Sequence, residues 1–167
     1  MKRIFFYTFM ALLLFTHNVN INAQETKSKK ERKLVEEAKI EQLIVSQDYR
    51  FIAQRAQPMS GRAIDLTSSY DLYIGKDTIA AYLPYFGRAY TASYGGDGGI
   101  KFNSNDFTYS LLKAKKGGWI INTSVKDNTK NYRLTLNISK SGKSTLTVTD
   151  PDRQSITFSG YIDEKKR

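Results

Sequence analysis

The chain has 167 residues and a formal net charge of +10, with 26 Lys and Arg against 16 Asp and Glu. It contains no cysteine, and its one histidine is His17. These counts exclude disulfide bonds, and they leave the chain beyond His17 without the usual parts of a Ser-His-Asp triad, a Cys-His pair, a zinc site or a haem site.

The first 23 residues have the pattern of a secretory signal peptide. Lys2 and Arg3 form a charged start, an apolar run extends from Ile4 to Phe15, and Ala23 is the expected cleavage end. The apolar run is shorter than the stretch of about 20 residues that spans a bilayer, and no cysteine follows it for lipid attachment. The sequence therefore predicts a periplasmic or secreted protein that has no transmembrane helix and is not a lipoprotein.

The chain after the signal peptide is predicted to be a basic flexible tail, residues 24–33, followed by a single domain, residues 34–167. Between Glu31 and Val45 there is neither glycine nor proline, so we predict one N-terminal helix.

Loss of residues 1–23 leaves a net charge of +8. That charge favours weak contact with anionic surfaces, or it serves solubility alone. The basic residues are scattered and form no arginine-rich arm, so nucleic acid is not an expected partner.

From Tyr49 onward the hydrophobic period changes to two, which is the period of strands. Apolar and polar residues alternate most clearly in the last third of the chain, between residues 132 and 162. Turn-forming residues separate these stretches, and one predicted hairpin joins residues 100–103 to residues 107–113. Alternation of this kind is typical of antiparallel sheets with one face on a core. We therefore predict an α+β, mostly β fold: one N-terminal helix packed on a curved antiparallel sheet or sandwich of eight to nine strands.

Residues 82–102, YLPYFGRAYTASYGGDGGIKF, concentrate aromatic side chains in one segment. Pro84, Gly87 and the glycine-rich run at residues 95–99 interrupt any regular element, so we predict a shaped loop between strands. Its aromatic residues either close one end of the core, the commoner arrangement, or form a contact surface. Arg88 lies among them and can bind a carboxylate or phosphate, stack on a ring, or form an internal pair that holds the loop. The candidate ligand or partner surface comprises Tyr82, Tyr85, Phe86, Arg88, Tyr90 and Tyr94.

Several strings of this sequence resemble a known protein family. LPYFGRAY and YGGDGGIKF lie in the aromatic segment, and Trp119-Ile120-Ile121 and SKSGKSTLTVTDPDRQSITFSGYI follow later in the chain. Together they resemble the secreted Bacteroidota proteins known as domain of unknown function 4251, or DUF4251. The resemblance extends from about Tyr49 to Ile162. It implies a shared domain and an exported protein, and it implies no activity and no catalytic residue.

Three functions remain compatible with the sequence. The first is a non-enzymatic binding domain that uses the aromatic loop, residues 82–102, to contact an unknown small molecule, glycan or protein. The second is a carboxylate-dependent hydrolase acting on glycans, although most aspartates fall in predicted turns and only Asp71 lies within a strand pattern. The third is a lipid or lipoprotein carrier in which a helix closes a curved sheet around an acyl chain. We predict the first, with no cofactor and no metal site, because Asp97 in its glycine run offers too few oxygen ligands for calcium.

Overall fold

The structure, a computed structural model, describes residues 21–90, 98–115, 117–127 and 130–164, with side chains described from residue 28 onward. The chain divides into two units, residues 1–36 and residues 37–167. In the first unit, residues 21–36 are helical. The second unit contains the remainder of the helix and all of the described strands.

Among the described residues there are one helix and nine strands, and the strands form a single sheet. Their bounds are α1 Ile21–Ser46, β1 Tyr49–Pro58, β2 Ile64–Ile74, β3 Ile79–Leu83, β4 Ile100–Ser104, β5 Phe107–Lys113, β6 Trp119–Asp127, β7 Lys130–Ile138, β8 Lys143–Thr149 and β9 Ile156–Glu164. Every neighbouring pair is antiparallel, in the order β4-β3-β2-β1-β9-β8-β7-β6-β5. The predicted fold class is confirmed, as a curved sheet and not a sandwich.

The helix is longer than the sequence predicts. It begins at Ile21 and includes residues 24–33, for which we expected a flexible tail. No glycine or proline occurs between Ile21 and Ser46, so nothing in the backbone chemistry interrupts the helix. In the part of the chain that the structure describes, no helix is both long enough and apolar enough to cross a membrane.

The hydrophobic core of the second unit lies within the curve of the sheet. Inward-facing residues alternate with more exposed ones along β7, as the pattern of residues 132–138 predicts. Tyr49, Phe51 and Phe158 are among its largest fully buried side chains, and Trp119 is also buried. Each large apolar side chain that is fully buried contributes about 1.5 to 3 kcal/mol to the stability of the folded state.

The part of α1 that belongs to the second unit, from residue 37 onward, covers one end of the sheet. Ile40 is buried and packs against Gly142 in the turn between β7 and β8, where a Cβ atom would collide with it. Lys39 forms an exposed ion pair of 2.9 Å with Glu164 at the end of β9. Because β9 runs from Ile156 to Glu164, the loop that joins β3 to β4 and the turn that joins β8 to β9 lie at the opposite end.

The predicted hairpin between residues 100–103 and 107–113 is wrong. β4 and β5 follow each other in the sequence but lie at the two ends of the sheet. The buried Ser104 hydroxyl donates a hydrogen bond of 2.6 Å to the carbonyl oxygen of Lys126, and the Lys126 N–H donates one of 2.9 Å to the carbonyl oxygen of Asp106. These bonds attach the corner between β4 and β5 to β6. The sheet therefore curls until its two ends approach each other without pairing.

Buried tyrosines make the stability of the protein sensitive to alkaline pH. Burial raises the pKa of Tyr49 far above its ordinary value, and the Tyr109 hydroxyl 3.5 Å away raises it further. Burial also raises the pKa of Tyr109. Since the folded-state pKa lies above the unfolded value of about 10, the stabilisation is present below that pH and is lost as the pH rises above it. We expect the free energy of unfolding to fall above a pH of about 10.

The variant Tyr49→Phe lacks the buried hydroxyl and should lose less stability at alkaline pH than the wild type. Denaturant unfolding at neutral and alkaline pH measures the difference. Tyr161→Phe, which alters a tyrosine on the exposed side of β9, is the control and should follow the wild type. Equal alkaline losses in Tyr49→Phe and the wild type would contradict the assignment.

Candidate functional site

The aromatic segment is divided between two strands and a shorter loop. Tyr82 lies in β3 and Phe102 in β4, so the connecting loop consists of residues 84–99. Residues 91–97, including Tyr94 of the predicted surface, lie outside the described residues. Phe102 is buried and stacks on Tyr132, with ring centroids 4.9 Å apart. This last aromatic residue of the segment therefore belongs to the core.

Tyr85 anchors the loop from within. Its hydroxyl donates a bifurcated hydrogen bond to the carbonyl oxygens of Arg88, at 2.8 Å, and Gln154, at 3.0 Å. Burial raises the pKa of Tyr85, and the positive charge of Arg153 opposes the rise. Gly87 leaves room for the phenol, because a Cβ atom at that position would collide with the Tyr85 hydroxyl. Tyr85 is thus an internal support of the loop.

Arg153, in the turn between β8 and β9, holds the loop from the side of the core. Its side chain is buried, and its guanidinium carbon lies 5.0 Å from the centroid of the Tyr85 ring. Nη1 donates hydrogen bonds to the carbonyl oxygens of Gly98, at 2.5 Å, and Gly99, at 3.3 Å. Nε lies 3.3 Å from Oδ2 of Asp150. One side chain therefore contacts both ends of the loop and a buried carboxylate.

The internal ion pair considered for Arg88 is formed by Arg153. Arg88 is exposed, and its guanidinium has no hydrogen-bond or ion-pair partner among the residues that the structure describes. No sequence motif singles out Arg153, which is the last residue of a stretch, Asp150 to Arg153, that resembles an ordinary turn. The sequence offered one signal for this role. Arg153 lies three residues after Asp150, and Asp150 directly follows a strand in which apolar and polar residues alternate strongly.

Asp150 is a buried residue whose carboxylate lies beside two cations. As predicted for a turn aspartate, its Oδ1 accepts a hydrogen bond of 2.9 Å from the N–H of Asp152. Its Oδ2 faces Arg153 and also lies 3.8 Å from Nζ of Lys130. Asp71, the aspartate of the strand pattern, forms an ion pair of 2.9 Å with Arg50. Both carboxylates are therefore compensated by cations.

Backbone contacts fix the loop to the same turn. The N–H of Tyr90 donates a hydrogen bond of 2.8 Å to the carbonyl oxygen of Asp152. Ala89 and Arg153 form an isolated antiparallel bridge. Residues 84–90, the described first part of the loop, are therefore held in a fixed shape, with one side against the turn between β8 and β9.

Three aromatic rings of the predicted surface are exposed, that of Tyr82 in β3 and those of Phe86 and Tyr90 in the loop. The exposed fractions are 47% for Tyr82, 42% for Phe86 and 69% for Tyr90. The Tyr82 ring stacks on Tyr70 with centroids 5.6 Å apart, and Nζ of Lys101 lies 4.7 Å from its centroid. Flat rings beside cations can hold the apolar face of a ligand that also carries an anionic group. The three exposed aromatic residues and the exposed Arg88 together are named the outer aromatic set: Tyr82, Phe86, Arg88 and Tyr90.

Outside the loop, the described part of the second unit contains a pocket and no cluster of metal-ligand side chains. Within the described ranges, no three carboxylate, histidine or cysteine side chains gather as they would in a metal site, and Asp97 lies outside those ranges. A shallow pocket of about 450 Å³ lies beside the end of α1 and is lined mainly by polar residues, among them Ser46, Asp48 and Lys76. The interior of the sheet is occupied by core side chains.

Comparison with known proteins identifies the family. The domain combines one helix, a curved antiparallel sheet and an aromatic loop at one end, and the family model described as "Domain of unknown function (DUF4251)" matches residues 31–162. The chain belongs to this family. It is similar to the crystal structure of a DUF4251 family protein from Bacteroides eggerthii DSM 20697, with a TM-score of 0.59 and 14% identity over 78% of this chain and 88% of that one. At this identity the likeness shows a shared fold. A search of the curated proteins found no match.

Proposed function

We propose that the protein is an exported, non-enzymatic binding domain that contacts its ligand through the outer aromatic set. The observation that supports the proposal is a contrast between two kinds of residue in the loop. Tyr85 and Arg153 hold the loop from the side of the core, while Phe86 and Tyr90 remain exposed. A loop that served only to close the core would bury its large aromatic side chains, because each buried one contributes about 1.5 to 3 kcal/mol. Exposed rings on an anchored loop favour a contact role.

The chemistry of the outer aromatic set supports a ligand with a flat apolar face and a nearby anionic group. The exposed guanidinium of Arg88 can bind a carboxylate or phosphate through two parallel hydrogen bonds. Sugar rings and the side chains of an acidic peptide both offer such a combination. The net charge of +8 that remains after the loss of residues 1–23 adds a general attraction for anionic ligands. Export rests on the N-terminal pattern of the sequence.

The two alternatives have less support. A glycan hydrolase needs two carboxyl groups with different protonation states in one cleft. Asp71 and Asp150 are each bound to a cation instead. A lipid carrier needs an apolar cavity, whereas large side chains such as Phe51 and Phe158 fill the interior of the sheet.

The proposal predicts that the double variant Phe86→Ala/Tyr90→Ala loses binding. Wild-type protein should retain ligands on an array of neutral and acidic glycans or in a capture experiment from periplasmic extract. The double variant should bind the same ligand at least about tenfold more weakly, because removal of one important interface aromatic residue commonly costs more than 1 kcal/mol. Binding to the array is measured by fluorescence and confirmed by calorimetry.

The control is Met59→Ala, which shortens an exposed apolar side chain outside the loop and should bind as the wild type does. The protein used is recovered from the periplasm, and its intact mass should show the loss of residues 1–23. Equal binding by the double variant and the wild type would contradict the proposal. So would the absence of any retained ligand.

A further inference from the structure

β5 is an open edge of the sheet. In the part of the chain that the structure describes, its strand partner is β6 alone. It has seven residues without glycine or proline, its ladder with β6 has no register shift, and its one charged residue, Lys113, is the last. β4, the other edge, has five residues and carries Lys101 near its centre. Short strands, charges, prolines and bulges protect natural sheet edges from pairing, and β5 has none of these features before its last residue, Lys113.

The ladder between β5 and β6 shows which backbone groups of β5 are directed toward the open edge. The Lys126 N–H donates to the carbonyl oxygen of Asp106, so these two residues form a hydrogen-bonded pair. Such pairs alternate in an antiparallel ladder with pairs that do not bond each other. Phe107, Tyr109 and Leu111 therefore direct their N–H and C=O groups away from β6.

The side chains of β5 also leave apolar surface unburied. Leu111 is 40% exposed and Leu112 is 52% exposed, and as consecutive strand residues they lie on opposite faces of the sheet. Tyr109 is partly buried beside Leu111 on the inner face. A second strand along this edge would cover apolar surface on both faces and satisfy the outward backbone groups.

We propose that β5 pairs antiparallel with β5 of a second copy of this chain, about a two-fold axis at Ser110. In this register Tyr109 of each copy lies opposite Leu111 of the other, so residues with outward backbone groups meet each other. Lys113 lies opposite Phe107, so no lysine of the strand faces another lysine. All seven residues pair, whereas a register centred on another residue uses fewer. The contact is self-complementary, as a two-fold interface requires.

The charge of the chain makes this pairing dependent on salt. Both copies carry the same positive net charge, +10 for the full sequence. Mutual repulsion opposes their association, and salt screens that repulsion. The dimer should therefore become more stable as the salt concentration rises, which is opposite to the behaviour of an interface held by ion pairs.

A single introduced thiol tests the register, because the chain has no cysteine. Two opposed residues of a non-hydrogen-bonded pair have Cα atoms about 4.5 Å apart, within the range of a disulfide bond. Ser110→Cys should therefore give a covalent dimer under mild oxidation. Thr108→Cys is the matched control on the same strand and face. Its two copies would lie about 13 Å apart along the strands and should not be cross-linked.

Sedimentation at increasing protein and salt concentrations tests the association itself. The wild type should form a reversible dimer, and Leu111→Lys should weaken it by at least about tenfold because a charge on an edge strand opposes pairing. Met59→Lys adds the same charge at an exposed position outside the sheet edge and should dimerise as the wild type does. Circular dichroism confirms that Leu111→Lys remains folded.

Three results would overturn the proposal. The first is a monomeric wild type at its highest soluble concentration in high salt. The second is equal cross-linking of Thr108→Cys and Ser110→Cys. The third is capture of a different protein on β5 by a chain that does not self-associate.

Discussion

Replacement of Arg153 by alanine is expected to lower the free energy of unfolding by about 3 to 5 kcal/mol. The substitution leaves the carboxylate of Asp150 buried, and among the described residues Nζ of Lys130, at 3.8 Å, is the cation that remains near it. It also removes the donor that binds the carbonyl oxygens of Gly98 and Gly99. The loss is large because a buried charge that has lost its partner still bears the full cost of its removal from water.

Urea unfolding of Arg153→Ala beside Arg88→Ala measures this effect. Both variants remove one positive charge from the same end of the molecule, but Arg88 is exposed and without a described side-chain partner. Arg88→Ala should change the stability by no more than about 0.5 kcal/mol. A double variant, Asp150→Asn with Arg153→Met, should recover part of the loss because it leaves no unpaired charge. A loss below about 1 kcal/mol in Arg153→Ala would contradict its role as the anchor of the loop.

The fold class could be predicted because the pattern that encodes it is local. Along residues 132–138 the apolar residues alternate with polar ones, and the structure buries each apolar residue of that strand. The corner between β4 and β5 could not be predicted in the same way. Residues 104–106 resemble a hairpin turn, yet the Ser104 hydroxyl bonds Lys126, which lies 22 positions away in the sequence. Contacts at that distance leave no periodic signal.

The candidate site shows the same limit. The sequence identifies an aromatic segment, but it does not separate Tyr85, which supports the loop, from Phe86, which faces solvent. That separation depends on Gln154 and Arg153, which come from a turn almost 70 positions later in the chain. The residue types offered no guide either, since Arg88, the cation next to the rings, was the candidate for the internal pair that Arg153 forms.

The central claim is that Phe86 and Tyr90 form a contact surface and do not close the core. The free energy of unfolding of the double variant Phe86→Ala/Tyr90→Ala, measured beside Tyr85→Ala, tests it most directly. We expect the double variant to lie within about 1 kcal/mol of the wild type, because both side chains are exposed. Tyr85→Ala should lose about 2 to 4 kcal/mol, because it removes packing and a bifurcated hydrogen bond. A loss of about 3 to 5 kcal/mol for each alanine of the double variant, as for buried aromatic residues, would contradict the claim.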